Sequence, residues 1–189
     1  MKYEFSERLE FSLGQMVETD ERLIKRLIPN CIGVQKTDID TDKSGIDYTA
    51  RLSGGAEIGI DVKTRDKGAS KYWKHGEAEL ALEIWSVCPV GGRYGKIGWT
   101  LSESSNVDMI LYKFDVTDSL KVYIFPFQFL RMAFMRNGKE WVKRYSRKRQ
   151  NSGSWSSEAV FVPASEVKKA IMSEMEAEII DVTEKEQTA

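Results

Sequence analysis

Asp47, Asp61 and Lys63 are the residues of this chain whose types and spacing suit chemistry on a phosphate ester. A phosphodiester yields to water when the attacking oxygen, the non-bridging oxygens and the leaving group are all electrostatically served, and carboxylates holding magnesium do this. Asp47 and Asp61 offer the hard oxygen ligands that Mg2+ or Mn2+ prefers, with the main-chain carbonyl of Val62 in natural reach. Lys63 lies two residues beyond Asp61, where an ammonium would orient water and offset developing charge.

Two strand-like runs, 46–52 and 57–63, must position these groups, and Ser53-Gly54-Gly55-Ala56 between them signals a tight hairpin. In the second run Ile58, Ile60 and Val62 alternate with Gly59, Asp61 and Lys63, so period-two geometry sends Asp61 and Lys63 to one face. Asp47 joins that face only in a particular register. A three-residue loop of Ser53, Gly54 and Gly55 pairs Leu52 with Ala56 and carries Asp47 opposite Asp61, whereas a four-residue loop misplaces it unless a bulge intervenes.

Upstream, Leu13, Met16, Val17, Leu23, Ile24, Leu27 and Ile28 follow helical spacing until Pro29. A short strand is expected at 31–34. Downstream, strands are expected at 80–87, 107–114, 121–125 and 159–162, with a short extended piece at 96–101. A helix at 127–145 is expected to break at Asn137-Gly138, and a Ser-rich flexible loop to occupy 151–157. A short helix at 165–175 precedes an acidic tail. The domain reading is one unit over 1–175 and a flexible tail over 176–189.

Gly45-Ile46-Asp47-Tyr48 followed by Ile60-Asp61-Val62-Lys63 resembles the D…(D/E)xK signature of the PD-(D/E)xK nuclease superfamily, in its phage or bacterial form, with Ile46 where the family's proline stands. The resemblance covers roughly the first half of the chain. It implies an α/β (α+β) fold with a restriction-endonuclease-like core, a central mixed sheet flanked by helices. It also implies a metal-dependent nuclease, hydrolysing phosphodiester bonds, with DNA as the expected substrate and Mg2+ (or Mn2+) as cofactor. A glutamate on the preceding helix often completes such a site; Leu13-Gly14-Gln15-Met16-Val17-Glu18 matches that helix start, so Glu18 is the choice, with Glu10 and Glu21 as competitors. A homodimer is compatible with cutting two strands.

Between Arg131 and Arg149 basic residues outnumber the single Glu140 heavily, and Lys143, Arg144, Arg147, Lys148 and Arg149 form the dense end of that run. Backbone phosphates are the expected partner, against the alternative of a solvated face. No base-reading motif accompanies the run, so sequence specificity does not follow. Glu83, in an apolar strand, either faces the metal site or pairs with Lys63, or else lies on a surface edge. His75 is the only histidine and reads as a loop residue; Tyr72, Trp73, Arg65 and Lys67 border the same loop.

Composition sets the outer bounds. The 189 residues are 41% hydrophobic and 11% aromatic, enough for a core, while charges cancel to a net −1 and leave the partner to be read from distribution. Cys31 and Cys88, without a CxxC or His cluster, read as reduced thiols. The first residues lack a signal peptide's apolar stretch and no run reaches the ~18 residues of a membrane helix, so a cytoplasmic protein is expected, in the host cytoplasm if phage-encoded. Two further readings share these features: a catalytically inactive nucleic-acid-binding protein of the same fold, and a protein-interaction domain with a merely solvated acidic face.

Overall fold

The structure, a computed structural model, describes residues 20–38, 45–65, 73–74, 76–90, 94–103, 105–116, 119–152 and 155–187. Its class is α+β. Among the described residues ten strands form two sheets: β1 (Cys31–Lys36), β2 (Tyr48–Leu52), β3 (Glu57–Arg65), β4 (Trp73–Lys74), β5 (Glu77–Val87), β6 (Lys96–Ile97), β7 (Met109–Val116), β8 (Ser119–Pro126), β9 (Ser146–Ser152) and β10 (Trp155–Pro163). Helix α1 is described over 20–27, α2 spans Phe127–Arg144 and α3 spans Ala164–Gln187, with a 3-10 turn at Trp99–Leu101.

The first sheet is mixed, in the order β1-β2-β3-β7-β8, so β3 is its central strand. The second is antiparallel, in the order β4-β5-β10-β9 with β6 beside β5. The chain divides into two compact units: one drawn from the residues up to Val62 together with Asn106–Leu111, the other from Lys63–Ser105 and Tyr112 onward.

In the first unit, β1, β2 and the start of β3 form an antiparallel meander. The hairpin register pairs Tyr48 with Ile60, Ala50 with Ile58 and Arg51 with Glu57, and Leu52 N–H donates to the Ala56 carbonyl. This is the three-residue loop expected from the glycine pair, and Gly55 sits at φ +84, a conformation that glycine adopts without cost. Ile24, Ile28, Tyr48, Ala50, Ile60 and Leu111 supply the buried apolar groups. Gly59 is small for a reason: a Cβ there would lie 3.0 Å from both the Asn106 carbonyl oxygen and the Ile46 side chain.

In the second unit, α2 and α3 pack on each other and on β10, where Leu80, Leu82, Val160 and Val162 are fully buried beneath helix residues such as Leu130, Val167 and Ile171. Strand β5 begins at Glu77, earlier than expected, because its Leu80 and Leu82 have this apolar core to enter, and tertiary burial overrides the helical propensity of the Glu-Leu-Ala-Leu stretch.

Three expectations are corrected here. Helix α2 runs unbroken through Asn137-Gly138; Gly138 is buried, and its missing side chain lets the Phe134 ring lie 3.1 Å from where a Cβ would stand. Residues 151–152 and 155–157 are strand rather than loop, since Ser156 pairs with Asn151 and Ser157 with Gln150 where β10 runs beside β9, while 153–154 lie outside the described residues. The helix expected to stop at 175 continues as α3 to Gln187, and within it Glu174 is 2% exposed and paired with Arg136 at 3.1 Å. Both cysteines are free thiols, Cys88 buried and Cys31 half-buried. Among the described residues no helix is long and apolar enough to cross a membrane.

Candidate active site

Strand β3 presents Asp61, Lys63 and Arg65 on one face by regular alternation, and Ile60, Val62 and Thr64 on the other. Asp61 is 6% exposed although its side chain is polar, and its neighbour Ile60 is fully buried, so both faces of this strand are covered here. A carboxylate at that depth persists only with polar partners.

Asp47 reaches β3 by a different route from simple alternation. The regular ladder ends at Tyr48 and Ile60, and the Asp47 N–H donates to the Ile60 carbonyl at 2.9 Å, one position off the ladder's register. The Asp47 carboxylate then accepts the Val62 N–H at 2.6 Å, taking the place of a strand partner. A charge-assisted bond of that length fixes the carboxylate beside the Asp61–Val62 peptide. Within an antiparallel strand a residue's N–H and C=O point to the same side, so the Val62 carbonyl faces the Asp47 edge as well.

Thr37 holds this segment in place. Its hydroxyl donates to the carbonyls of Ile46, in a short bond, and Asp47, at 3.0 Å, and its N–H also donates to the Asp47 carbonyl at 3.0 Å. Next along β2, the Tyr48 hydroxyl donates to Asp20 on α1 at 3.4 Å. Tyr48 is 3% exposed, and burial, reinforced by the Asp20 carboxylate, pushes its phenol well above the usual tyrosine range. Neither Thr37 nor Asp20 was singled out from sequence: a hydroxyl aimed at two carbonyls leaves no motif, and Asp20 sits in the polar part of the helical pattern.

In the second unit, the Lys63 ammonium stands 5.3 Å from the centre of the Trp99 ring, a cation–π placement that fixes its direction. Trp99 in turn donates its backbone N–H to Glu83 Oε2 at 3.1 Å, and the Ser86 hydroxyl donates to the same oxygen at 2.8 Å. Glu83 therefore does not lie on a solvent edge. Strand β5 has an irregularity here, with Trp85 opposite Glu158 but Glu83 opposite Ala159, and the extra residue turns Glu83 and Ser86 to one side. Gly98 permits the approach, for a Cβ on it would fall 2.3 Å from the Glu83 carbonyl oxygen. Arg65 is anchored by the Tyr112 hydroxyl, to which it donates from Nε at 3.2 Å and from Nη2 at 3.0 Å.

The basic run is not the single strip that its sequence suggests. Lys143 and Arg144 end α2, with Arg144 over the Tyr145 ring at 5.2 Å. On β9, alternation sends Arg147 and Arg149 to one face, where Arg147 pairs with Glu158 at 3.5 Å and Arg149 donates to the Ser156 hydroxyl at 2.9 Å. Lys148 goes to the other face, its ammonium 5.0 Å from the Phe161 ring centre.

Glu18, with Glu10, lies outside the described residues, as do His75, Tyr72 and Lys67; Glu21 is described on α1 and is half-buried. Among the described residues no group of three or more His, Cys, Asp or Glu side chains gathers as a metal cage. Asp47, Asp61 and the Val62 carbonyl offer only hard oxygen, the donor chemistry that would suit Mg2+ or Mn2+ rather than a softer metal. A carboxylate has about four acceptor positions, so the Val62 N–H does not saturate Asp47. Compared with known protein families, curated proteins and solved structures, this chain matches none.

Proposed function

We propose that the chain is a magnesium- or manganese-dependent nuclease of the PD-(D/E)xK type that hydrolyses phosphodiester bonds, in DNA before RNA. The observation that carries the reading is the bond from Val62 N–H to the Asp47 carboxylate, which brings the upstream acid to the Asp61-Val62-Lys63 segment. In this reading Asp47 and Asp61 hold the metal with the Val62 carbonyl, and Glu18 is the expected additional ligand. The bound ion would act as a Lewis acid and make water acidic enough to attack at neutral pH.

The chain's own residues do the rest. Lys63, on the same strand face as Asp61 and steadied by Trp99, orients the attacking water and offsets negative charge as it builds on the phosphoryl oxygens. Thr37 prevents the Asp47 segment from sliding along β3. Lys148 and the exposed Lys143 and Arg144 supply phosphate contacts, whereas Arg147 and Arg149 serve their own hairpin first.

The test is cleavage of linear, branched and single-stranded DNA with magnesium, manganese or chelator. Wild type cuts in the presence of either metal, and Asp61→Asn and Lys63→Ala each lower the rate by about 100-fold or more. Unchanged cleavage by both variants removes the centre. A wild type that cuts nothing but binds DNA with a steep salt dependence is instead a binding protein of this fold, and no DNA affinity at low salt leaves the interaction domain.

A further inference from the structure

Within the second unit lies a cleft of about 490 Å³ that the proposed hydrolysis does not by itself explain. Its floor is the β5–β10 face carrying Ala81 and Ala159, small residues that leave room above the sheet, with Phe161 beside them. Its lining carries the cations Arg65, Lys148 and Arg149, and Glu83 is the one acidic group among its lining residues. Each of these polar groups is held in direction: Arg65 by Tyr112, Lys148 by the Phe161 ring, Arg149 by the Ser156 hydroxyl, Glu83 by Trp99 N–H and Ser86.

A cavity of this volume belongs to the size class of small-ligand sites and does not admit a duplex. An apolar floor suits the face of a planar ring, and a cationic rim suits a phosphate. A carboxylate with one oxygen already engaged retains acceptor positions for a ring's N–H donors, and carboxylates accept in this way from the exocyclic amino group of cytosine. We infer that the cleft takes one unpaired nucleotide, its phosphate on Arg65 and Lys148 and its base over Ala81 and Ala159, with Glu83 accepting from an exocyclic amino group. As the strand pocket of a nuclease it rests on the proposed function; as a nucleotide site it stands on the cleft alone.

The experiment titrates the full chain, in chelator so that nothing is cut, with deoxycytidine 5′-monophosphate and deoxyuridine 5′-monophosphate, which differ at the amino-bearing position. Heat of binding and tryptophan fluorescence are both read. Wild type binds both and favours the cytidine nucleotide by about tenfold. Lys148→Ala, at an exposed strand position where folding is not at stake, weakens both by about tenfold, and Glu83→Gln narrows the preference while keeping phosphate affinity. No binding, equal affinity for the two nucleotides, or an unaffected Lys148→Ala overturns the proposal. Nucleotide binding by a chain that cuts no DNA upholds the pocket and removes the hydrolytic reading; DNA cutting without nucleotide binding does the reverse.

Discussion

Replacing Asp47 by alanine and, separately, by asparagine parts the two roles that its carboxylate is given. The bond from Val62 N–H is 2.6 Å long and Val62 is half-buried, so alanine removes a charge-assisted acceptor and leaves an amide that water reaches only in part. The cost is about 1–2 kcal/mol, toward the lower part of the range for such groups. For a chain of this length that is a fall in Tm of roughly 2–8 °C. Asparagine keeps an acceptor oxygen for Val62 and loses only the charge, so without metal its Tm stays close to that of wild type. Magnesium then separates the pair from wild type: at about 100 times its dissociation constant a ligand adds roughly 2.7 kcal/mol to the native state. Calorimetric melting with and without magnesium, run beside the DNA cleavage assay, is the measurement. Wild type gains stability from the metal and cuts; Asp47→Asn has native-like stability, no metal gain and no cutting; Asp47→Ala loses all three. An Asp47→Ala chain as stable as wild type refutes the positioning bond, and an Asp47→Asn chain that still cuts and is still stabilised by magnesium refutes Asp47 as a ligand.

Gly98→Ala drives a methyl to 2.3 Å from the Glu83 carbonyl oxygen, a backbone atom that cannot rotate away, and is expected to cost about 1–3 kcal/mol in urea unfolding while disturbing Trp99 fluorescence. Tyr48 has a folded pKa raised by burial and Asp20 above its ordinary 10.0, so its contribution is complete below about pH 10 and is lost as pH rises beyond that, because the unfolded chain releases the proton first. The loss approaches about 1.4 kcal/mol per pH unit, and Tyr48→Phe flattens the alkaline limb of the stability profile while costing stability at pH 7 through the hydroxyl bond to Asp20. Arg136→Ala strips the partner from a Glu174 that is 2% exposed; unfolding is expected to become easier by about 1–3 kcal/mol, with Glu174→Gln in the same background recovering part of it.

The strand that carries Asp61 and Lys63 was legible because its information is local. Alternation alone puts Asp61 and Lys63 on one face, and the glycines of the 53–55 loop fix the hairpin register to within one residue. Residues whose partners are distant left no such trace. Asp47 was reachable from register arithmetic, yet its side chain is placed by the Val62 amide beyond the end of the regular ladder, a fact that period-two counting does not contain. The break expected at Asn137-Gly138 follows from propensity, and it fails because Gly138 makes room for Phe134. The Ser-rich segment at 151–157 reads as a loop by composition, yet its residues 155–157 are strand because β10 has β5 on one side and β9 on the other.

The basic run shows the same division. Its composition fixes a concentration of cations between Arg131 and Arg149, but strand β9 sends Arg147 and Arg149 to one face and Lys148 to the other. What each of these cations contacts within the fold is thus decided by Glu158, Ser156 and Phe161, all brought from β10. Sequence by itself determined the candidate acids and lysine, the class of elements that carry them and the metal chemistry those donors suit, because residue type and period are properties of short segments. Only the tertiary structure decided that Thr37 clamps Asp47, that Glu83 is held by Trp99 and Ser86, and that Arg65 and Lys148 share a cleft. Each of those depends on groups far apart in the chain, and only the folded chain closes those distances.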